Sequence, residues 1–188
     1  GVTKVNAGDW VILGWIKGEG MNVGGGEYHI DNKLINAGPV TTFNTRAVVS
    51  ENRVFLLPNG LPKDVAVLFG CSALTGAGML LNEIEPAQKG VLAIIGLGGI
   101  GLSALMAAGS HAFDKIIAVD VSEEKLSLSK LLGSTHQINP TKTDVITALH
   151  DLTAGDGVDY CIEAAGKTKT IETAFASVRR HGGLCIFA

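Results

Sequence analysis

The second half of the chain alternates short apolar runs with helical patterns, and this alternation restricts the fold more than any other feature. Five runs are predicted as strands, at residues 91–95, 115–120, 135–138, 158–163 and 184–187. Helical patterns at 99–108, 123–132, 143–153 and 170–179 separate them. Strands that are apolar throughout lie in a parallel sheet between two helical layers. The pattern predicts a doubly wound α/β (Rossmann) domain whose sheet is incomplete at its C-terminal end, with five strands instead of six.

A glycine-rich segment follows the first of these strands. Gly96-Leu97-Gly98-Gly99-Ile100-Gly101 contains the pattern G-x-G-x-x-G between a strand and a helix. In such a segment the first glycine permits a tight turn, the second lets the backbone approach a pyrophosphate, and the third lets the helix pack on the strand. The helix N-terminus then binds the anion. A strand-to-helix turn with only a structural role is the alternative.

Asp120 ends the second predicted strand, nineteen positions after Gly101. A carboxylate at this distance accepts hydrogen bonds from the ribose of an adenosine, and its charge repels a 2′-phosphate. Val121 follows, where an arginine would favour NADP, so the sequence favours NAD. Lys125 is predicted one turn into the next helix, within reach of the ribose. The alternative is that Asp120 only caps that helix.

The first part of the chain predicts β-structure and loops. Strands are expected at 10–13, 46–50 and 54–57, and the glycine-rich residues 17–39 are expected to form a long surface loop. A short helix begins at Pro62, and a second covers 74–84 and ends before Pro86. We expect a domain boundary between residues 72 and 73.

Composition excludes several classes of protein. Fifteen Lys and Arg stand against 18 Asp and Glu, and no basic stripe is present, which argues against a nucleic-acid partner. The mean hydropathy is +0.32, but the apolar runs are strand-sized, so no membrane partner is expected. Three widely spaced cysteines predict no disulfide framework and favour a reducing, cytoplasmic location.

Several motifs together resemble the zinc-dependent medium-chain alcohol dehydrogenases. These are the glycine-rich segment with Asp120, GCSALTGAG at 70–78, DYCIEAAG at 159–166 and HGG at 181–183, and the resemblance runs from residue 7 to the end. It implies part of a GroES-like catalytic domain over 1–72 and an NAD-binding Rossmann domain over 73–188. It further implies zinc-assisted hydride transfer between a small alcohol or aldehyde and NAD, in a homodimer or homotetramer.

The resemblance also assigns site residues by position. Cys71 matches a ligand of the catalytic zinc, and Thr75 matches a threonine beside the nicotinamide. The residues expected to contact the cofactor are Thr75, Gly96, Leu97, Gly98, Gly99, Ile100, Gly101, Asp120, Val121, Lys125, Ala164, Ala165 and Lys167. A thiolate is a good zinc ligand, although a buried apolar cysteine is the alternative for Cys71.

Two departures from the family pattern qualify these expectations. The family's other zinc ligands lie upstream of residue 1, so we expect an internal fragment of a longer subunit that is inactive by itself. Residues 17–39 contain no cysteine, so no structural zinc is expected there. The open alternatives are a zinc-free quinone or enoyl reductase on the same scaffold and a non-catalytic nucleotide-binding fragment.

Three further residues lie inside the predicted sheet. Cys161 and Cys185 are expected to be inert core residues, because burial raises the pKa of a thiol. Glu163 ends the fourth strand of the sheet, beside the expected cofactor cleft. We expect its carboxylate to bind backbone N–H groups rather than to act in catalysis.

Overall fold

A computed structural model describes residues 1–23, 26–36, 38–84 and 89–188 of the chain. These residues form two compact units, Gly1–Cys71 and Ser72–Ala188. The second predicted helix, 74–84, is observed over Ser72–Glu83 and so ends one residue earlier than predicted, while Pro86 lies outside the described residues.

The first unit contains two pairs of short antiparallel strands. Strand β1 (Val11–Leu13) pairs with β4 (Val54–Leu56), and β2 (Tyr28–Ile30) pairs with β3 (Lys33–Ile35). A 3-10 helix, Glu51–Arg53, leads into β4. The predicted short helix is present as α1 (Lys63–Ala66), which continues into a 3-10 helix that ends at Gly70.

Two expectations for this unit are wrong. Residues 46–50 do not form a strand, and at the end of this stretch the carbonyl of Ser50 accepts from the amide of Arg53 at 3.0 Å, at the start of the 3-10 helix. The expected loop at 17–39 contains the β2–β3 hairpin. Its two turn residues, Asp31 and Asn32, have φ of +48° and +62°, a left-handed conformation that Asp and Asn tolerate and that two-residue hairpins require.

The second unit confirms the predicted parallel α/β fold. Its strands are β5 (Val91–Ile95), β6 (Lys115–Val119), β7 (His136–Ile138), β8 (Tyr160–Glu163) and β9 (Leu184–Phe187). All four neighbouring pairs are parallel, and the order across the sheet is β7-β6-β5-β8-β9. Strand β5 is therefore central. The next two strands in the chain, β6 and β7, lie on one side of it, and β8 and β9 lie on the other.

Five helices accompany this sheet. They are α2 (Ser72–Glu83), α3 (Gly99–Ala108), α4 (Glu123–Leu131), α5 (Val145–Leu152) and α6 (Thr168–Ser177). Successive side chains of β5 point to opposite faces. Leu92 and Ile94 pack with residues of α2, α3 and α4, whereas Ala93 and Ile95 pack with residues of α5 and α6. Both faces of the sheet are thus covered, as the uninterrupted apolar strands predict.

Among the described residues, no single helix is long and apolar enough to cross a membrane. The segments Lys63–Gly70 and Ser72–Glu83 meet the criteria of length and composition only when they are taken together.

Candidate functional site

The glycine-rich turn lies at the carboxyl edge of the sheet, between β5 and α3. Gly96 has φ of +91°, and its amide donates to the carbonyl of Val119 at 2.8 Å. A Cβ at Gly101 would lie 1.9 Å from the carbonyl oxygen of Gly96, so only glycine allows α3 to begin this close to the turn. A Cβ at Gly98 would meet no atom within 4 Å, which leaves space at the N-terminus of α3.

Asp120 lies directly after β6, and its carboxylate reaches back to this turn. One oxygen, Oδ2, accepts from the amide of Leu97 at 2.7 Å, and Oδ1 accepts from the amide of Ser122 at 2.9 Å. Only 9% of the residue is exposed. The N-cap of α4 is Ser122, whose Oγ accepts from the amide of Lys125. The alternative that Asp120 only caps this helix is therefore wrong, because its carboxylate connects the ends of β5 and β6.

The residues after β8 complete the edge on the other side of β5. The amide of Ala164 donates to the carbonyl of Ile95 at 2.8 Å. A Cβ at Gly96 would lie 2.7 Å from the amide nitrogen of Ala165, so the two segments run in close contact. The structure thus brings together the glycine-rich segment, Asp120, Ala164 and Ala165.

Helix α2 packs against the beginning of α3. A Cβ at Gly76 would lie 2.1 Å from the carbonyl oxygen of Ile100, and a Cβ at Gly99 would lie 3.2 Å from Cβ of Ser72. Thr75 is half-buried in the first turns of α2, next to this contact. The structure therefore places Thr75 on the helix that borders the N-terminus of α3.

The remaining predicted cofactor residues are more exposed. The Nζ atom of Lys125 lies 3.9 Å from Oδ2 of Asp120, and its side chain is half exposed. Val121 is exposed next to Asp120. Lys167 is exposed at the N-terminus of α6, two residues beyond Ala165.

Cys71 is the last residue of the first unit and is exposed, so the alternative of a buried cysteine is wrong. It lines a mainly apolar cavity of about 550 Å³ inside that unit. The side chains of Trp10 and Trp15 contribute two aromatic walls, and the ammonium of Lys63 lies 3.1 Å from the ring centroid of Trp10. The cavity therefore combines one thiol with an apolar lining.

The described residues contain no group of three His, Cys, Asp or Glu side chains that could hold a metal ion. A catalytic zinc needs three protein ligands and one open position. The donor set around Cys71 in this part of the chain therefore does not fit a zinc centre.

Cys161 and Cys185 face each other across the β8–β9 pair. A hydrogen bond between their sulfur atoms, together with burial, raises the pKa of the Cys161 thiol. The same hydrogen bond lowers the pKa of the half-buried Cys185. The expected rise of the pKa is confirmed for Cys161 and wrong for Cys185, because the bond from the neighbouring thiol outweighs burial there.

Glu163 has the structural role that was predicted for it, and its main side-chain partner was missed. Its Oε1 accepts from the amides of Ala165 and Gly166 at 2.9 and 3.0 Å. The hydroxyl of Thr170, in the first turn of α6, lies 2.7 Å from the same oxygen. The sequence does contain a signal for Thr170. Its hydroxyl belongs to the third residue of α6, the helix that follows the carboxylate at the end of β8.

A parallel sheet with a glycine-rich turn after its central strand and a carboxylate after the next strand has the architecture of the doubly wound α/β class. A family model described as zinc-binding dehydrogenase matches residues 99–188. Alcohol dehydrogenase 6 of Peromyscus maniculatus is 32% identical over 147 residues, which are 77% of this chain and 39% of that protein. The corresponding enzyme of Rattus norvegicus is 29% identical over the same length.

Solved structures give the same result. Benzyl alcohol dehydrogenase from Acinetobacter calcoaceticus is 27% identical with a TM-score of 0.79, covering 99% of this chain and 56% of its own. An alcohol dehydrogenase zinc-binding domain protein from Burkholderia ambifaria is 31% identical with a TM-score of 0.65, covering 76% of this chain and 41% of its own.

These similarities confirm the predicted resemblance: in sequence and in fold, the chain is similar to the zinc-dependent alcohol dehydrogenases. It spans about two fifths of the length of the curated relatives that it matches.

Proposed function

We propose that this chain is the coenzyme-binding part, with an adjoining part of the catalytic domain, of an oxidoreductase that interconverts a small alcohol and its aldehyde or ketone with NAD. In this proposal the second unit is the NAD-binding domain and the first unit is part of a GroES-like domain. The relatives' names support the reaction class. The whole protein is proposed to be a cytoplasmic homodimer or homotetramer.

One observation carries the proposal: the carboxylate of Asp120 and the open N-terminus of α3 lie on the same turn. Oδ2 of Asp120 is 2.7 Å from the amide nitrogen of Leu97. At the neighbouring Gly98, a Cβ atom would meet no other atom within 4 Å, so there is open space beside the turn. The pyrophosphate of a dinucleotide fits at the helix N-terminus, and each oxygen of Asp120 keeps a lone pair for the hydroxyls of a ribose.

The other predicted residues have supporting roles in this proposal. Lys125 is close enough to Asp120 to contact the same ribose, and Ala164, Ala165 and Lys167 border the nicotinamide half of the cofactor together with Thr75. Bound NAD supplies the hydride acceptor. The apolar cavity beside Cys71 favours a small alcohol with an apolar body.

We propose that Cys71 is one ligand of the catalytic zinc of the whole protein. Its exposed thiol supports this assignment, since a ligand must be accessible to the metal. A single thiolate does not hold a catalytic zinc, so the proposal assigns no turnover to the 188 residues by themselves.

The coenzyme assignment is tested by calorimetry with NAD and NADP on the chain and on Asp120→Asn. The amide oxygen of asparagine still accepts from Leu97, but the negative charge is gone. Like charges placed together at an interface cost several kcal/mol, so the preference for NAD over NADP should fall by about tenfold or more. An alcohol turnover assay run in parallel separates binding from catalysis.

Glu123→Gln is the matched control, because it removes one negative charge from the adjacent first turn of α4. Glu123 is exposed, and its carboxylate binds Lys142 at 2.7 Å and accepts from the side-chain amide of Asn139. The Glu123→Gln variant should keep the preference for NAD over NADP of the unmodified chain. An equal loss of preference in both variants, or no NAD binding by the unmodified chain, would contradict the proposal.

A further inference from the structure

Glu163 is a fully buried carboxylate whose hydrogen bonds all go to one short segment. None of its surface is exposed. Oε1 accepts from the amides of Ala165 and Gly166, and the Thr170 hydroxyl lies within 2.7 Å. That hydroxyl is also 2.8 Å from the carbonyl of Lys167, so its single proton serves one acceptor at a time. The carboxylate thus fixes the backbone between β8 and α6.

This segment is in direct contact with the glycine-rich turn. The amide of Ala164 binds the carbonyl of Ile95, and the amide nitrogen of Ala165 lies 2.7 Å from the position of a Cβ on Gly96. A small displacement of 164–166 would therefore close or open the space above Gly96. The bonds to Glu163 decide where that segment lies.

The second oxygen, Oε2, is buried and has no hydrogen-bond partner among the described residues. A buried oxygen without a partner costs free energy, so packing alone does not explain a carboxylate at this position. Nor does its charge help a dinucleotide, whose pyrophosphate is also negative. Any contribution to cofactor binding therefore comes from the geometry that Oε1 imposes.

We propose that Glu163 is a positioning residue for the dinucleotide: by accepting from Ala165 and Gly166 it holds the 164–167 segment in the conformation that leaves room for the cofactor over Gly96. The inference rests on the proposed NAD site. A segment that is already ordered raises the affinity for the cofactor, because its conformational entropy is lost when the protein folds and no further loss is needed when the cofactor binds.

The test compares NAD affinity, measured by calorimetry, in the unmodified chain, Glu163→Leu and Glu163→Gln. Leucine removes the acceptor, and we expect the dissociation constant to rise by about tenfold or more. Glutamine keeps an oxygen at the position of Oε1 without the charge, and its affinity should stay within about threefold of the unmodified chain. Rescue by glutamine separates positioning from charge.

Two further measurements keep the outcome decisive if Glu163→Leu fails to fold. Thr170→Val removes one donor to Oε1, and amide hydrogen exchange without NAD reports whether Ala165 and Gly166 lose protection. We expect faster exchange at both amides and weaker NAD binding. Glu172→Leu, an exposed change on the same helix, is the control and should alter neither quantity.

The possible failures are distinguishable. Absence of NAD binding by the unmodified chain would overturn the proposed function and this inference with it. Normal NAD binding by a folded Glu163→Leu, or by Thr170→Val with accelerated exchange, would overturn this inference alone. Equal weakening by leucine and glutamine would also overturn it, since charge rather than geometry would then set the affinity.

Discussion

The two units differ in how they bury apolar surface. In the first unit, Val54 and Ala66 are the buried apolar residues among those described, and its buried 3-10 helix is polar, with Glu51, Asn52 and Arg53. In the second unit, two apolar clusters cover both faces of one sheet. Because burial of apolar surface is the dominant favourable contribution to folding, the second unit has the means to fold alone and the first depends on hydrogen bonds.

The largest expected loss of stability comes from a substitution inside the second unit. A Cβ in Gly101→Ala would collide with the carbonyl oxygen of Gly96, which is backbone and has no rotamer to change. We expect a loss of about 3 kcal/mol in the free energy of unfolding, measured by urea denaturation and far-UV circular dichroism.

Gly98→Ala is the matched control for this prediction, because its Cβ would meet no atom within 4 Å. It should keep the stability of the unmodified chain and weaken NAD binding, since the methyl group would take the space proposed for the pyrophosphate. Equal destabilisation by the two changes would show that the close approach of Gly96 and Gly101 does not stabilise the second unit.

The comparison also predicts two unfolding transitions. Both tryptophans of the chain, Trp10 and Trp15, lie in the first unit, so tryptophan fluorescence follows that unit alone. Five of the six described α-helices lie in the second unit, so circular dichroism at 222 nm (roughly the helical minimum) mainly follows the second unit. We expect the fluorescence midpoint at a urea concentration lower by about 1 M. Coincident midpoints would show that the units unfold together.

The smallest expected effect is the dependence of the first unit's stability on pH below 4.5. The carboxylate of Glu51 accepts from the amides of Met21, Thr3 and Lys4, and these bonds lower its pKa from 4.5 to about 2. A group whose pKa is lower in the folded state stabilises above its unfolded pKa, and this stability is lost as the pH falls through the folded value. Glu51→Gln should therefore destabilise the first unit at pH 7.

The difference between Glu51→Gln and the unmodified chain should shrink between pH 4.5 and pH 2, when followed by tryptophan fluorescence. Asp9→Asn, an exposed change in the same unit, serves as the control. A difference that stays constant over this pH range would mean that the amide bonds to Glu51 do not stabilise the unit.

The second unit was predicted well from the sequence, because the apolar runs that predict its strands are the same residues that are buried on both faces of the sheet. Helix α3 has the predicted bounds, since glycines mark its start and an apolar pattern marks its length. The hairpin at Tyr28–Ile35 was missed because most of its side chains are exposed and show no apolar alternation. Residues 46–50 have the composition of a strand, but composition does not supply a pairing partner.

The same distinction applies to the site. Motif spacing placed Asp120 and the glycine-rich turn at one edge of the sheet, because the ends of neighbouring parallel strands meet there. It did not identify Thr170, whose role depends on where α6 begins relative to β8. Nor did it anticipate that the Cys161 thiol lowers the pKa of Cys185, since cross-strand pairing is set by register.

The central position of β5 has a consequence for synthesis of the chain. Its partner β6 begins 20 residues after β5 ends, whereas β8 begins only at Tyr160. Because the chain leaves the ribosome from its N-terminus, three of the five strands are available before the other two exist. The contact between Asp120 and Leu97 belongs to these first strands, whereas Glu163 and Ala164 are synthesised only at the end of β8. A nascent chain therefore acquires the carboxylate that we propose for the ribose well before the segment that borders the other side of the proposed site.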